Sequence, residues 1–414
     1  MTRVELITVG DELLSGLVLN SNVARVADAL GGIGLGLSVV YDVSDDVEEI
    51  VGALRTACAR ADLVLCSGGL GPTCDDLTRD ALAGLAGVGM DRDAALEDIV
   101  RSRYTEWNVP VPDLALRQAD VPRGAVPVPN PRGSAPGLRM SVGATLIYAL
   151  PGVPRELEAM LADHIVPELS AGLAASTPGE PRPVTATVRI ALAGESSIAT
   201  ALNDVDFGSV RVAYLALPGD VAVRLTGAGD AVAAALDAVT HRLGSAAYST
   251  DGTELSAVVH GLLRERKASL AVAESLTGGL VAAALTDPAG ASVSFRGGAV
   301  VYATEAKAEL GVNADLLAER GPVDADVALA LARAVRERLG ATHGLATTGV
   351  AGPDPVGDYP VGTLFVAVDS ADGARVIRRS LPPRRDLVRA LSVVHALDLV
   401  RRHLLGLEPY ELTG

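Results

Sequence analysis

Aromatic side chains are scarce in this chain, at 3% of 414 residues, so burial must rest on aliphatic helix and strand faces. Lysine is scarcer still: Lys267 and Lys307 are the only two among 35 basic residues, the rest being arginine. Cysteine is limited to Cys58, Cys66 and Cys74, an odd set at eight-residue spacing that fits neither a disulfide framework nor paired zinc-ligand motifs. These read as reduced, buried small residues. No run of about 18 residues escapes charges and Gly or Pro breaks, so the mean hydropathy of +0.32 does not describe a membrane-spanning helix. The segment Val4 to Val9 reads as a strand rather than an export signal, and a soluble cytoplasmic chain is expected. Positive charge is also short. The formal charge of −16 opposes a polyphosphate backbone, and no basic run interleaved with aromatics reverses it, so nucleic acid is not expected as a partner. The motifs G-x-x-x-x-G-K, H-E-x-x-H and G-x-S-x-G are absent, and Gly32-Ile33-Gly34-Leu35-Gly36 follows a helix pattern and lacks the spacing of a dinucleotide fingerprint.

What is present is a repeated alternation of strand and helix patterns. A chain of 414 residues exceeds one ordinary core, which stops growing at roughly 250 to 300 residues. Strand Val4 to Val9, helix Asn20 to Leu30, strand Leu37 to Tyr41, a helix opened by Ser44 or Asp45, and strand Asp62 to Cys66 predict a parallel sheet with helices on both faces. The Pro- and Gly-rich stretch Asn108 to Gly143 reads as loop, followed by strand Thr145 to Leu150, and Ser170 to Pro183 reads as a linker. Strand patterns Val184 to Leu192, Val210 to Leu217 and Val221 to Leu225 around two helical stretches predict a small α+β module. From Glu254 the alternation resumes: strand Ser269 to Ala273, helix from Gly279, strand Gly298 to Tyr302, helix from Asp324, strands Gly344 to Thr348 and Thr363 to Val368, and a last long helix. The expected fold class is α/β, with domains over 1–170 and 254–414 joined by an α+β module over 183–250.

Four pieces of the last domain carry chemistry. In Ala273-Glu274-Ser275-Leu276-Thr277-Gly278-Gly279, glycines allow close ligand approach, and a serine beside free backbone N–H groups can be a nucleophile. The competing reading is that Ser275 or Thr277 only caps a helix. In Tyr302-Ala303-Thr304-Glu305-Ala306-Lys307, a lysine in an arginine-rich chain points to chemistry that guanidinium cannot do, namely losing a proton near neutral pH. Lys267 survives without that reason, which weakens the point, and a solvated helix lysine is the plain alternative. The glycine loop Thr347-Thr348-Gly349-Val350-Ala351-Gly352-Pro353-Asp354, with Pro360-Val361-Gly362-Thr363, ends a strand, and Arg384-Arg385-Asp386-Leu387-Val388-Arg389 could clamp a phosphate.

In this order the four pieces resemble the nicotinamide mononucleotide deamidase domain, over roughly Glu254 to His403. The resemblance implies metal-free hydrolysis of the nicotinamide carboxamide to nicotinic acid mononucleotide and ammonia. Ser275 would be the nucleophile, Tyr302 and Lys307 would activate it, and Glu305 would orient them. Substrate would lie against Thr277, Gly278, Gly279, Thr348, Gly349 and Gly352, with Arg385 or Arg389 on its phosphate. The chain departs from the pattern at Leu276, where the family has Cys, and at the acidic loop Asp354 to Tyr359, where it is glycine-rich.

At the other end, Gly10-Asp11-Glu12-Leu13-Leu14-Ser15-Gly16 follows the first strand and Gly68-Gly69-Leu70-Gly71-Pro72-Thr73-Cys74-Asp75-Asp76-Leu77-Thr78 the third, where open α/β sheets bind ligands. Glycines can cradle phosphate and paired carboxylates can hold a hard cation; Asp76 as a plain helix cap is the alternative. With Asn130 to Gly137 and Leu150 to Glu156, these motifs resemble the molybdopterin-binding fold of MogA and MoaB, and more closely the first domain of the CinA family, competence/damage-inducible proteins. Gly194-Glu195-Ser196 and Tyr214 to Gly219 extend that resemblance through the module. It implies a metal-dependent pyrophosphatase acting on ADP-ribose or a related dinucleotide, with Glu12, Asp75 and Asp76 near the divalent metal and Gly68, Gly69, Gly71, Thr78 and Asn130 on substrate. No cofactor is expected for the deamidase domain, partners are expected to be small nucleotides and a second copy in a homodimer, and the alternatives are a pterin-binding protein or a non-catalytic competence accessory.

Overall fold

The computed structural model describes residues 2–176 and 183–409. It divides into two compact units, Met1–Val184 and Thr185–Gly414, and each is built from α/β layers.

The first unit holds strands β1 (Val4–Val9), β2 (Leu37–Val43), β3 (Leu63–Ser67), β4 (Met90–Arg92), β5 (Asp120–Pro122), β6 (Val126–Val128), β7 (Gly137–Val142) and β8 (Thr145–Leu150). Six of them form one sheet in the order β2-β1-β3-β8-β7-β6. β1 pairs in parallel with β2 and β3, and β3 with β8. β1 and β3 are buried along their whole length, as expected of parallel strands covered on both faces. One apolar core, around Ile50, Leu54 and Leu82, lies under helices Val47–Cys58 and Thr78–Ala86. The other, around Val26, Leu30 and Leu157, lies under helices Asn22–Gly31 and Pro154–Met160. Neither Ser44 nor Asp45 caps Val47–Cys58; the cap is Asp46, whose carboxylate accepts from Glu48 and Glu49 N–H.

The stretch expected to be loop, Asn108 to Gly143, contains a 3-10 helix (Asp113–Ala119) and strands β5, β6 and β7. β7 pairs antiparallel with β8 and β6, extending the sheet with a hairpin edge. Strands of three to six residues interrupted by Pro122 and Pro127 are too short for a period to emerge. The expected linker Ser170 to Pro183 is helical as far as Ser176, within Val166–Ser176, and 177–182 lie outside the described residues.

The second unit holds two sheets. Strands β9 (Val184–Ala191), β10 (Arg211–Leu217), β11 (Asp220–Gly227) and β12 (Ala247–Ser249) form an antiparallel sheet ordered β10-β11-β9-β12, backed by helix Gly229–Leu243. Strands β13 (Leu270–Glu274), β14 (Phe295–Val300), β15 (His343–Gly349), β16 (Thr363–Ser370) and β17 (Gly373–Ser380) are ordered β14-β13-β15-β16-β17. β14, β13 and β15 run parallel, β16 runs antiparallel to β15, and β17 runs antiparallel to β16. Helices Leu255–Glu265, Leu280–Thr286 and Arg385–Leu405 cover one face and Ala325–Arg338 the other. This arrangement brings the carboxyl ends of β13 and β15 side by side. Within this unit Asp398, on the last helix, is buried between Arg401 and Arg402, and both guanidinia donate to the Ser245 carbonyl of the antiparallel module.

Candidate functional site

β13 ends at Glu274, and the chain turns through 275–279 before helix Leu280–Thr286. The turn needs glycine: Gly278 and Gly279 have φ of 59° and 98°, a region that costs other residues energy. Glu274 is fully buried, and its carboxylate accepts from the N–H groups of Gly279 (2.9 Å), Val281 (3.1 Å) and Ala282 (2.8 Å). It therefore caps the helix from the strand and holds the turn closed. The signal in the sequence is a glutamate ending an otherwise apolar strand, which must find partners if it is buried.

Ser275 donates its N–H to the Thr347 carbonyl of β15 (3.0 Å), and the Thr277 and Thr347 hydroxyls share a hydrogen bond of 2.8 Å. Lys307 sits on helix Thr304–Leu310 with 1% of its surface exposed. Its Nζ donates to Ser275 Oγ at 3.2 Å, to the Val301 carbonyl at 2.8 Å and to the Tyr302 carbonyl at 3.3 Å. Burial pushes its ammonium down to about 8, with the Glu305 charge opposing. A lysine poised this way is a competent base at mildly alkaline pH, and the serine oxygen lies in its reach.

The remaining residues divide by location. Glu305 is exposed and acts on Lys307 through charge. Tyr302 is 58% exposed, and its hydroxyl accepts from Arg385 Nη2 at 3.2 Å, while Arg385 Nη1 donates to the Gly352 carbonyl at 2.7 Å. Arg389 Nε and Nη2 donate to the carbonyls of Leu276 (3.2 Å) and Thr277 (2.9 Å). Thr348 is buried and donates to the Pro322 carbonyl at 2.7 Å, and a Cβ at Gly349 would run into the Thr363 carbonyl. Asp354 and Asp358 are exposed.

In the first unit, a cavity of about 550 Å³ lies at the carboxyl ends of β1 and β3, lined among others by Glu12, Asp45, Gly68, Asp75 and Glu156. A Cβ at Gly68 would strike the Val9 carbonyl, and one at Gly69 the Thr78 hydroxyl. Thr78 is buried and donates to the Gly68 carbonyl at 2.7 Å, so it braces the loop from behind. Asp76, expected near the metal, has both oxygens engaged by its own loop: Gly71 N–H (2.6 Å), Thr73 N–H (2.8 Å) and Thr73 hydroxyl (2.5 Å). These bonds close the glycine turn, and Asp76 also lines the cavity. Asn130 is likewise spent on its loop, donating to the Ala135 carbonyl and Glu156 and accepting from Arg132 and Gly133 N–H.

Asp45, which the sequence places at a helix start, lines the cavity, and one of its oxygens accepts Asp11 N–H at 2.9 Å. Its carboxyl is raised by burial and by the charges of Asp11, Glu12 and Asp75. The lining contains no lysine or arginine among the described residues. A hard cation relieves crowding of this kind. No three His, Cys, Asp or Glu side chains converge into a ready cluster among the described residues. The donor set of Glu12, Asp45 and Asp75 thus fits a hydrated cation completed by phosphate oxygens rather than an all-protein cage.

A family model described as the CinA C-terminal domain matches residues 252–404, and one described as a probable molybdopterin binding domain matches residues 5–171. A CinA-like protein of Frankia casuarinae is 46% identical over 99% of this chain and 98% of its own length. The chain belongs to the CinA family. A second CinA-like protein, from Myxococcus xanthus, is 38% identical over 98% of this chain and 99% of its own. Among solved structures, CinA of Thermoplasma acidophilum is 37% identical and covers 39% of this chain and 94% of that one, with a TM-score of 0.37. The CinA C-terminal and molybdopterin-binding family domains are consistent with an enzyme, and no helix among the described residues is long and apolar enough to cross a membrane.

Proposed function

We propose that the second unit hydrolyses the carboxamide of nicotinamide mononucleotide, giving nicotinic acid mononucleotide and ammonia. The observation that carries this reading is the buried Lys307 ammonium at 3.2 Å from Ser275 Oγ, with its pKa lowered to about 8. Neutral Lys307 takes the hydroxyl proton as Ser275 attacks the amide carbon, and returns it to the departing nitrogen; water then cleaves the acyl-serine. Exposed Arg385 is the candidate for the substrate phosphate.

For the first unit we propose metal-dependent cleavage of the diphosphate of ADP-ribose or a related dinucleotide. Glu12, Asp45 and Asp75 would hold the cation, which would neutralise diphosphate charge when bound. The glycine turn closed by Asp76 supplies backbone N–H groups to the phosphate and lets it approach. The family model for molybdopterin binding favours a second reading of this cavity, a pterin site. The working form would be a cytoplasmic homodimer.

One assay separates these readings. The full chain is incubated with nicotinamide mononucleotide and with ADP-ribose, each with Mg²⁺ and with EDTA. Ammonia release should survive EDTA and diphosphate cleavage should not. Absence of ammonia under both conditions would end the deamidase reading; absence of diphosphate cleavage at saturating metal, with pterin fluorescence bound to the cavity, would replace the pyrophosphatase by the pterin site.

A further inference from the structure

Arg389 was expected on the substrate phosphate, but the Nε–Nη2 edge of its guanidinium already serves the chain. Nε holds the Leu276 carbonyl at 3.2 Å and Nη2 the Thr277 carbonyl at 2.9 Å. Gly278 N–H in turn donates to the Ser275 carbonyl at 3.1 Å. Three consecutive peptide groups after the nucleophile are thus each pinned at the carbonyl. A trans peptide is planar, with its N–H opposite its C=O. Fixing the Ser275 carbonyl fixes Leu276 N–H, and fixing the Leu276 carbonyl fixes Thr277 N–H. The neighbouring donors are used: Ser275 N–H by the Thr347 carbonyl and Gly279 N–H by Glu274. Among the described residues Leu276 N–H and Thr277 N–H donate to nothing. Both residues are buried, at 3% and 0% exposure, where an unbonded donor is costly and calls for an acceptor. A Cβ at Gly278 would meet Arg389 Nη2 only at an ordinary contact distance of 3.4 Å, so it is the positive φ of 59° that calls for glycine there.

We infer that Arg389 is a positioning residue that, by holding the Leu276 carbonyl, aims Thr277 N–H beside Leu276 N–H, and that the two form the oxyanion hole for attack by Ser275. This rests on the serine–lysine reading above and gives Arg389 a different task from binding phosphate. The hole would hold any acyl oxygen that becomes negative, so a generic ester tests it without presuming the natural substrate. With p-nitrophenyl acetate, Ser275 Oγ bonds to the carbonyl carbon and gives its proton to Lys307. The carbonyl oxygen carries the charge in the tetrahedral state, and the ester bond breaks to release p-nitrophenolate with its electron pair.

The experiment uses the full chain and follows the p-nitrophenolate burst together with the mass of the Ser275 ester. Arg389→Ala should slow acylation by about 100-fold, the scale of losing an oxyanion donor, and added guanidinium should restore part of it. Arg389→Lys, which keeps the charge but not the fork across two carbonyls, should be slowed as well and guards against misfolding of the smaller variant. With nicotinamide mononucleotide and its phosphate-free riboside, both variants should lose kcat alike and keep KM. A loss confined to the mononucleotide and expressed in KM would mean a phosphate clamp and overturn the inference. So would an ester formed at the wild-type rate. A wild-type chain that forms no Ser275 ester would overturn the serine–lysine reading, and this inference with it.

Discussion

The two candidate sites share a location, the carboxyl ends of parallel strands, and little else. At Ser275 the chain supplies every charge it needs: a buried lysine, a glutamate spent on a helix, and arginines held by carbonyls and a tyrosine hydroxyl. The cavity of the first unit does the reverse. It gathers carboxylates around a glycine turn, and no cation of its own is in the lining among the described residues. A site that carries cations of its own can act on a neutral amide with no added ion. One that crowds like charges is incomplete until something positive enters it. Metal dependence is therefore expected to divide the molecule.

The largest effect should come from Ser275→Ala. It should lower ammonia release from nicotinamide mononucleotide by at least about 1,000-fold and leave diphosphate cleavage unchanged, because the residues of the two sites belong to different compact units. Ammonia assay beside phosphate-product chromatography reads both; deamidation that persists would remove Ser275 from the chemistry. Next, Lys307→Arg keeps a positive charge and removes the proton that can leave. Turnover should fall by roughly 100-fold or more, within the contribution of general base catalysis. The wild-type rate should rise with pH through an inflection near 8, where Lys307 becomes neutral. A rate that is flat from pH 6 to 9 would leave Lys307 a structural residue.

A smaller contrast lies within the cavity. Asp45→Asn should raise the metal concentration needed for diphosphate cleavage by about tenfold, by removing a carboxylate that a cation would meet. Asp76→Asn keeps an acceptor for the loop N–H groups, so it should change metal requirement little. Asp76→Ala frees Gly71 and Thr73 N–H and should raise the dinucleotide KM instead. Should Asp76→Asn shift the metal requirement as far as Asp45→Asn, Asp76 would regain the role first expected of it.

These assignments mark where the sequence was legible. The βα alternation placed both glycine turns correctly at strand ends, because buried parallel strands are continuous apolar runs that stand out from their surroundings. The Ser275 and Lys307 pair came from motif resemblance, and no spacing rule joins residues 32 positions apart. Asp76 and Asp45 show the opposite limit. Both are aspartates next to a helix start that line the cavity, and sequence alone cannot say which one has both oxygens taken up by its own loop. Arg389 shows a related limit: a helix-start arginine looks free in the sequence until the carbonyls it holds, contributed by residues 276 and 277, are in place.

The subtlest test of the comparison is thermodynamic. If Lys307 is held ready as a base, the fold must disfavour its ammonium form. Its pKa lies near 8 in the folded chain against an ordinary 10.5. Between those pH values the unfolded chain binds more protons than the folded one, so this group makes stability rise with pH, and below about 8 its full cost applies. Lys307→Met removes the titrating group. It also changes packing and frees the Val301 and Tyr302 carbonyls, but those terms do not vary with pH. The informative quantity is the difference in unfolding free energy between wild type and Lys307→Met, measured by denaturant titration from pH 7 to pH 10. It should move in favour of the wild type by roughly 2 to 3 kcal/mol over that range, as a shift of this size implies. A difference that stays constant would mean that the ammonium is tolerated as well in the fold as in water, and Lys307 would then have no spare basicity to offer Ser275.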